Sequence, residues 1–253
     1  FAHTSFKWSN LASHNAGVIV AIVAISRYVS SQKRLFSIAD DGSTIERQVS
    51  NINAYLVPGA NKAVNVARSP IGNLSPMLFG NMPRDGGHFI LYADERMKVL
   101  DSYPELARFI RPYLGSEQMI QGKPRWCVWI EAKDSEFAAE HPFLQALLGR
   151  VRDFRTSSAA ASTRDFASKP YRFVQIAGTA ERYTLAVAKV SSERRSYLPV
   201  HLFDRETIVS DLLFALYDAP LWNMSIVASR LHLVWVATVC GKLKTDFRYS
   251  NTI

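Results

Sequence analysis

The run AGVIVAIVAI, Ala16 to Ile25, constrains the fold of this chain more than any other stretch. It is uncharged and apolar throughout, yet only about half the ~20 residues that a membrane-spanning helix needs. Its β-branched side chains favour a strand. An unbroken apolar run, rather than an alternating one, suits a strand covered on both faces, as in a sheet flanked by helices. The expectation is a buried strand of an α/β sheet.

The rest of the composition suits a soluble globular chain, with 48% hydrophobic and 21% charged residues in 253. That length holds one large domain or two smaller ones with a real core. Thirty Lys and Arg against 22 Asp and Glu give +8, an excess that fits an anionic partner. Cys127 and Cys240 stand far apart, and no CxxC or HxxxH spacing occurs. Neither a metal site nor a disulfide framework is expected, and a reducing cytoplasmic compartment fits. The histidines at 3, 14, 88, 141, 201 and 232 are scattered, with no Gly-x-Ser-x-Gly elbow, so no nucleophilic triad is indicated. No cationic-then-apolar leader opens the chain and Phe1 is not an initiator Met, so a part of a longer protein is expected.

Along the chain, RYVSSQKRLFSIADDGSTIERQVSNINAYLVPG reads as a hairpin turning at Asp40–Ser43 and closing at Pro58-Gly59. Residues 61–87, rich in Gly, Pro, Asn and Ser, read as an ordered loop. Asp94 to Leu114 has helical spacing split by Pro104, and RWCVWIEA follows as a strand. A helix is expected from Pro142 to near Ser168, before Pro170. After three strand-like stretches, a last helix should run from near Pro220 to Gly241. The class is α+β, with mixed or antiparallel sheets, several helices and a boundary near residue 30.

Three groups of residues carry candidate chemistry. Glu131-x-Lys133 at a strand end has the spacing of a metal-dependent nuclease half-site, where Glu holds the metal and Lys steers water. Its required Asp partner is not evident, and a solvated pair is the plain alternative. Arg150, Arg152, Arg155 and Arg164 lie along one expected helix among Ser157, Ser158, Ser162 and Thr163, a composition suited to clamping phosphates. The plain alternative is a solvated helix face, or a basic face for an acidic protein partner. In VSSERRSY, residues Ser191, Ser192, Glu193, Arg194 and Arg195 read as a turn between strands, where recognition residues collect.

The run VCGKLKTDFRYSN, from Val239, has strand alternation that puts Lys244, Asp246 and Arg248 on one face. Alternate residues stand ~7 Å apart, close to the span of a base-pair edge. Lys244 could donate to guanine N7 or O6 while Asp246 accepts from the cytosine N4 amine. The plain alternative is a solvated sheet face.

FAHTSFKWSNLASHNAGV, NINAYLVPG, FIRPYLGSEQMIQGKPRWCVWIE, VSSERRSYLPV, YDAPLW and SRLHLVWVATVCGKLKTDFRYSNT together resemble the MmeI-like (Type IIL) DNA methyltransferases. These are bacterial single-chain restriction–modification enzymes that methylate adenine N6. The resemblance implies that residues 1–30 are the end of a methyltransferase domain and 31–253 a DNA target-recognition domain. It implies base-reading roles for Lys244 and Asp246, which match the family's Lys/Glu-x-Asp/Arg alternatives. Arg248, Ser192, Glu193 and Arg194 are expected to face bases, with no base named for each, and Arg195 with Arg150, Arg152, Arg155 and Arg164 to hold phosphates. Phe6 or Trp8 would stack an extruded base. Double-stranded DNA and the catalytic domain of the same parent are the implied partners. No Gly-rich cofactor loop and no Asn-Pro-Pro-Phe motif occurs, so S-adenosylmethionine is expected in the parent enzyme and no catalytic residue in this chain.

Overall fold

A computed structural model describes residues 1–253 apart from 9–17, 29, 71, 73, 244 and 253. The chain opens with β1 (Ala2–Lys7), β2 (Ile19–Val23), β3 (Lys33–Ile38) and β4 (Thr44–Val49). It continues through β5 (Leu78–Phe79), β6 (Ile90–Leu91), α1 (Ala93–Ser102), β7 (Ile110–Leu114), α2 (Ser116–Gln121) and β8 (Trp126–Val128). Next come α3 (Ser135–Glu140), α4 (Pro142–Thr156), α5 (Ala161–Arg164), β9 (Tyr183–Ala188), β10 (Val190–Ser191) and β11 (Val200–Asp204). The last elements are β12 (Ile208–Val209), β13 (Leu213–Tyr217), α6 (Trp222–Val227), α7 (Arg230–Val239), β14 (Gly241–Leu243) and β15 (Asp246–Arg248). The class is α+β, with antiparallel and mixed sheets. No helix among the described residues is long and apolar enough to cross a membrane.

These elements form two compact units. The first gathers Phe1–Ser69, Val190–Ser196 and Arg230–Ile253; the second gathers Pro70–Lys189 and Tyr197–Ser229.

In the first unit, one sheet has the order β2-β1-β3-β4 and another the order β10-β15-β14. β3 and β4 make the expected hairpin. Asp41 Oδ1 accepts the Ser43 amide at 2.9 Å, and Gly42 takes φ +84°, the left-handed turn position glycine suits. The apolar run does supply a strand, β2, but not a buried one. Among the described residues β2 pairs with β1 alone, at the sheet edge, and Ile22 and Val23 are 45% and 59% exposed. The expectation of burial on both faces fails because nothing else among the described residues covers it. Among its described residues, five hydrophobic ones are buried: Ala2, Leu35, Leu233, Val236 and Tyr249.

The second unit is built differently. Its sheets run β11-β9-β13-β5 and β12-β7-β8-β6. Among its described residues thirty-two hydrophobic ones are buried, including Phe89, Leu106, Trp129, Leu144, Val151, Leu185 and Phe214. Each such side chain contributes ~1.5–3 kcal/mol by leaving water. Buried Asn81 ties the strands together. Its Nδ2 donates to the Gly178 carbonyl at 2.9 Å, and its Oδ1 accepts the Ala177 amide at 2.8 Å. Gly80 beside it has no room for a side chain, since a Cβ there would meet the Ser210 carbonyl oxygen at 2.1 Å.

Three element expectations change. Pro104 does split the helical stretch, but Ile110–Leu114 becomes β7, because pairing with β8 and β12 overrides local helical spacing. The helix from Pro142 stops at Thr156, and the final helix divides into α6 and α7 around Ala228-Ser229.

Candidate nucleic-acid interface

The three-stranded sheet of the first unit joins two stretches that lie far apart in sequence. Val190 and Ser191 pair antiparallel with Arg248 and Phe247. The expected single strand is instead a hairpin, with Gly241, Lys242 and Leu243 opposite Arg248, Phe247 and Asp246. Thr245 lies in a turn just before Asp246. Lys244 lies outside the described residues, so its expected place beside Asp246 is not decided by the fold. Cross-strand partners share a face. Asp246, half-buried, and Arg248, exposed, project on one side with Leu243; Lys242 and Phe247 project on the other, with the Lys242 ammonium 5.5 Å from the Phe247 ring.

The turn after β10 sits at the edge of this sheet. The Ser192 hydroxyl accepts the Arg194 amide at 3.3 Å and the Ser192 carbonyl accepts the Arg195 amide at 3.1 Å. Ser192 thus shapes the turn, whereas Glu193, Arg194 and Arg195 are exposed beyond it. Arg230, opening α7, donates to the Ser196 carbonyl at 3.4 Å. From the same helix, His232 Nε2 meets the Tyr249 hydroxyl at 3.1 Å, just past β15. Burial lowers the His232 pKa and pushes the Tyr249 phenol up to about 12, so both are neutral at pH 7. A neutral brace fixes the hairpin to α7.

The arginines expected at phosphates divide. Arg150 and Arg152 are exposed on α4. Arg164 is exposed too, but its Nη1 already donates to the Ser158 and Ala159 carbonyls at 2.8 and 2.7 Å. Arg155 is a correction. It is fully buried, and its guanidinium donates to the carbonyls of Pro83, Arg84, Phe166, Lys169 and Arg172 at 2.7–3.1 Å. No donor remains to turn toward a phosphate; Arg155 is a clamp inside the second unit. The hydroxyls of Ser162 and Thr163 accept from Arg84, and that of Ser157 donates to Phe154, so they too serve the local fold.

Glu131 and Lys133 pair with each other at 2.9 Å, and Arg111 stands 4.0 Å from the same carboxylate. The ammonium holds the Glu131 pKa down, and the carboxylate raises that of Lys133. Cations occupy the side on which a nuclease would bind its metal. Among the described residues, no cluster of three His, Cys, Asp or Glu is placed to hold a metal ion. Phe6 is half-buried near the end of β1, and Trp8 just past it is 44% exposed, with ring centroids 6.5 Å apart.

One feature escapes any reading of the chain in linear order. The first unit carries thirteen Lys and Arg against five Asp and Glu, a net +8; the second carries seventeen of each. The whole excess of positive charge belongs to the unit that contains the three-stranded sheet.

The chain is similar to known proteins. The chain is 36% identical over 250 residues to DNA methyltransferase A of Bacillus subtilis (strain 168), covering 99% of this chain and 28% of that protein. It superposes on the Type IIL restriction–modification enzyme MmeI, solved in complex with DNA, with a TM-score of 0.88 at 29% identity. That match covers 100% of this chain and 34% of the MmeI chain, so this chain spans about a third or less of either relative's length. The family profile described as the MmeI DNA-methyltransferase domain matches residues 1–37, and that described as the MmeI target recognition domain matches residues 58–253. The chain belongs to the MmeI target recognition domain family.

Proposed function

We propose that this chain reads the DNA sequence for a larger adenine-N6 methyltransferase with restriction activity, and has no catalytic activity of its own. The observation that carries this reading is the confinement of the +8 charge to the unit that brings the two expected base-reading stretches onto one sheet. A basic surface gathers the polyanion whatever its sequence, and side chains on a narrow sheet then contact base edges. MmeI, which this chain resembles over its whole length, was solved with DNA bound.

In this reading Asp246 accepts from a cytosine N4 amine, and Lys244 donates to the paired guanine. Arg248, on the same face as Asp246, reaches the neighbouring step, as do Ser192, Glu193 and Arg194 from the turn. One such charge-matched pair discriminates by ~1–3 kcal/mol per base pair. Arg195, Arg150, Arg152 and the remaining donors of Arg164 contact phosphates, which set register without choosing sequence. Phe6 or Trp8 stacks the extruded adenine.

Residues 1–30 complete a methyltransferase domain, and residues 31–253 act as the recognition domain. The edge position and exposed apolar side chains of β2 support this division, because such an edge is otherwise an aggregation hazard. A strand from the catalytic part would pair there. S-adenosylmethionine belongs to that part. The described residues do not fit its sulfonium and ammonium charges, because the large cleft of the first unit holds a lysine and no carboxylate. A cytoplasmic location accords with two cysteines that form no disulfide.

The test is the double substitution Lys244→Glu with Asp246→Arg in the full-length protein, read by sequencing methylated sites. A changed preference at one base pair is expected. An unaltered recognition sequence would overturn the assignment.

A further inference from the structure

The β14–β15 hairpin has one covered face and one open face. Cross-strand pairing puts Ser191, Lys242 and Phe247 on the same side of the three-stranded sheet. Ser191 is 2% exposed and Phe247 half-buried, and Lys242 lines a cleft whose walls include Val234, Ala237 and Thr238 of α7. That side is turned toward α7. The other side carries Val190, Gly241, Leu243, Asp246 and Arg248. It turns outward, with Leu243 51% exposed and Arg248 exposed as well.

Leu243 is the residue of the open face that the polar base contacts leave unexplained. It stands directly opposite Asp246, where paired side chains begin ~4.5–5.5 Å apart. Its cross-strand partner is thus a carboxylate, and half of the leucine surface remains in contact with water. At Gly241, two residues back on the same face, a Cβ would meet nothing within 4 Å, so the backbone lies bare there. A groove edge can approach the sheet closely at that point. A two-stranded ribbon is also of a width that the major groove admits. The His232–Tyr249 contact holds the hairpin to α7, so the open face is presented as a fixed surface.

We propose that Leu243 is a specificity-determining residue that packs on the C5-methyl group of a thymine, in the base pair next to the one read by Asp246. The proposal rests on the DNA-reading function above and adds a second base pair to the hairpin's reach. The thymine methyl is the apolar group that the major groove displays; the other groups that distinguish the pairs are hydrogen-bond donors and acceptors. A leucine offers neither. Set against an amine or a carbonyl it shuts that group off from water without replacing the hydrogen bond, so the methyl alone gains by the contact. Distance selects the adjacent pair. Leu243 and Asp246 start farther apart than the ~3.4 Å that separates neighbouring bases along a strand, so the two side chains meet different pairs.

The experiment measures the affinity of the full-length protein for duplexes in which each thymine of the recognised sequence is replaced in turn by deoxyuridine. That replacement removes the methyl and leaves the hydrogen-bonding groups. At one thymine, beside the pair whose identity changes with Lys244→Glu and Asp246→Arg, affinity should fall about fourfold, the worth of one buried methyl group. In Leu243→Ala the same replacement should have no effect, whereas Leu243→Met should retain most of the loss. An equal loss in Leu243→Ala and the unsubstituted protein would overturn the assignment, as would no loss at any thymine or no thymine beside that pair. A lowered melting temperature for Leu243→Ala would show that the side chain packs on the protein itself, and would also overturn it. If Lys244→Glu with Asp246→Arg leaves the recognised sequence unaltered, the base-reading function itself fails and this assignment falls with it.

Discussion

The two units solve opposite problems with the same chain. The second is electrically neutral and well filled, with thirty-two buried hydrophobic residues and buried polar clamps at Asn81 and Arg155. The first carries all the net charge and, among its described residues, buries five hydrophobic ones. Self-repulsion and a thin core both weaken a fold, so the first unit is expected to be the less stable of the two. The comparison teaches that the candidate base-reading residues sit in the unit with the thinner core. Local instability is the ordinary condition of binding elements.

The strongest way to break this comparison is to remove the clamp of the second unit. Arg155→Ala should cost about 3 kcal/mol or more, since it strands several buried carbonyls, each worth ~1–3 kcal/mol. Arg152→Ala should stay within ~0.5 kcal/mol. Urea titrations of both variants check this, and equal losses would erase the difference between a buried and a surface arginine.

Thiol labelling compares the units directly. Cys127 is buried in the second unit and Cys240 half-buried in the first, and burial raises both pKa values. Cys240 should react faster by roughly tenfold or more under native conditions, because opening of the first unit is easier. Equal rates would mean that the two units open together.

Salt dependence sharpens the contrast in charge. Each phosphate contact contributes ~0.9 to the slope of log affinity against log salt. Arg150→Gln with Arg152→Gln, both assigned to phosphates, should lower the slope by about two, and Arg195→Gln by about one. An unchanged slope in either variant would remove those residues from the DNA surface. An acidic protein partner in place of DNA would show as weak binding to every duplex tested.

The smallest effect concerns pH. The folded state holds the His232 pKa below its ordinary 6.5, so the unfolded chain binds the proton more readily. The stability gained from neutral His232 is complete above pH 6.5 and declines as pH falls toward the lowered value. Thermal melts between pH 5 and 8 should show this decline, and His232→Gln should flatten it.

Much of the fold was legible because strands and turns speak locally. The Asp40–Ser43 turn, the strand after Arg125 and the strands after Tyr183 are fixed by alternation and by turn residues. What was not legible depended on distant partners. Ile110–Leu114 has helical spacing yet becomes a strand between two others. Arg155 is indistinguishable in sequence from its exposed neighbour Arg152; the five carbonyls around it come from loops on either side. The gathering of charge was hidden for the same reason, because the basic unit is assembled from three separated stretches. The hairpin and the Ser192–Arg195 turn were both identifiable as candidates, but their shared sheet was not.

That shared sheet has a practical consequence for anyone exchanging specificity between relatives. β10 comes from mid-chain, flanked on both sides by strands of the other unit, while β14 and β15 come from the far end. A chimaera that transplants the last two dozen residues alone would lay a foreign hairpin against a resident strand, misfitting its hydrogen-bond ladder. Grafts need residues 190–196 and 230–253 moved as one set, although thirty-three residues of unrelated scaffold separate them.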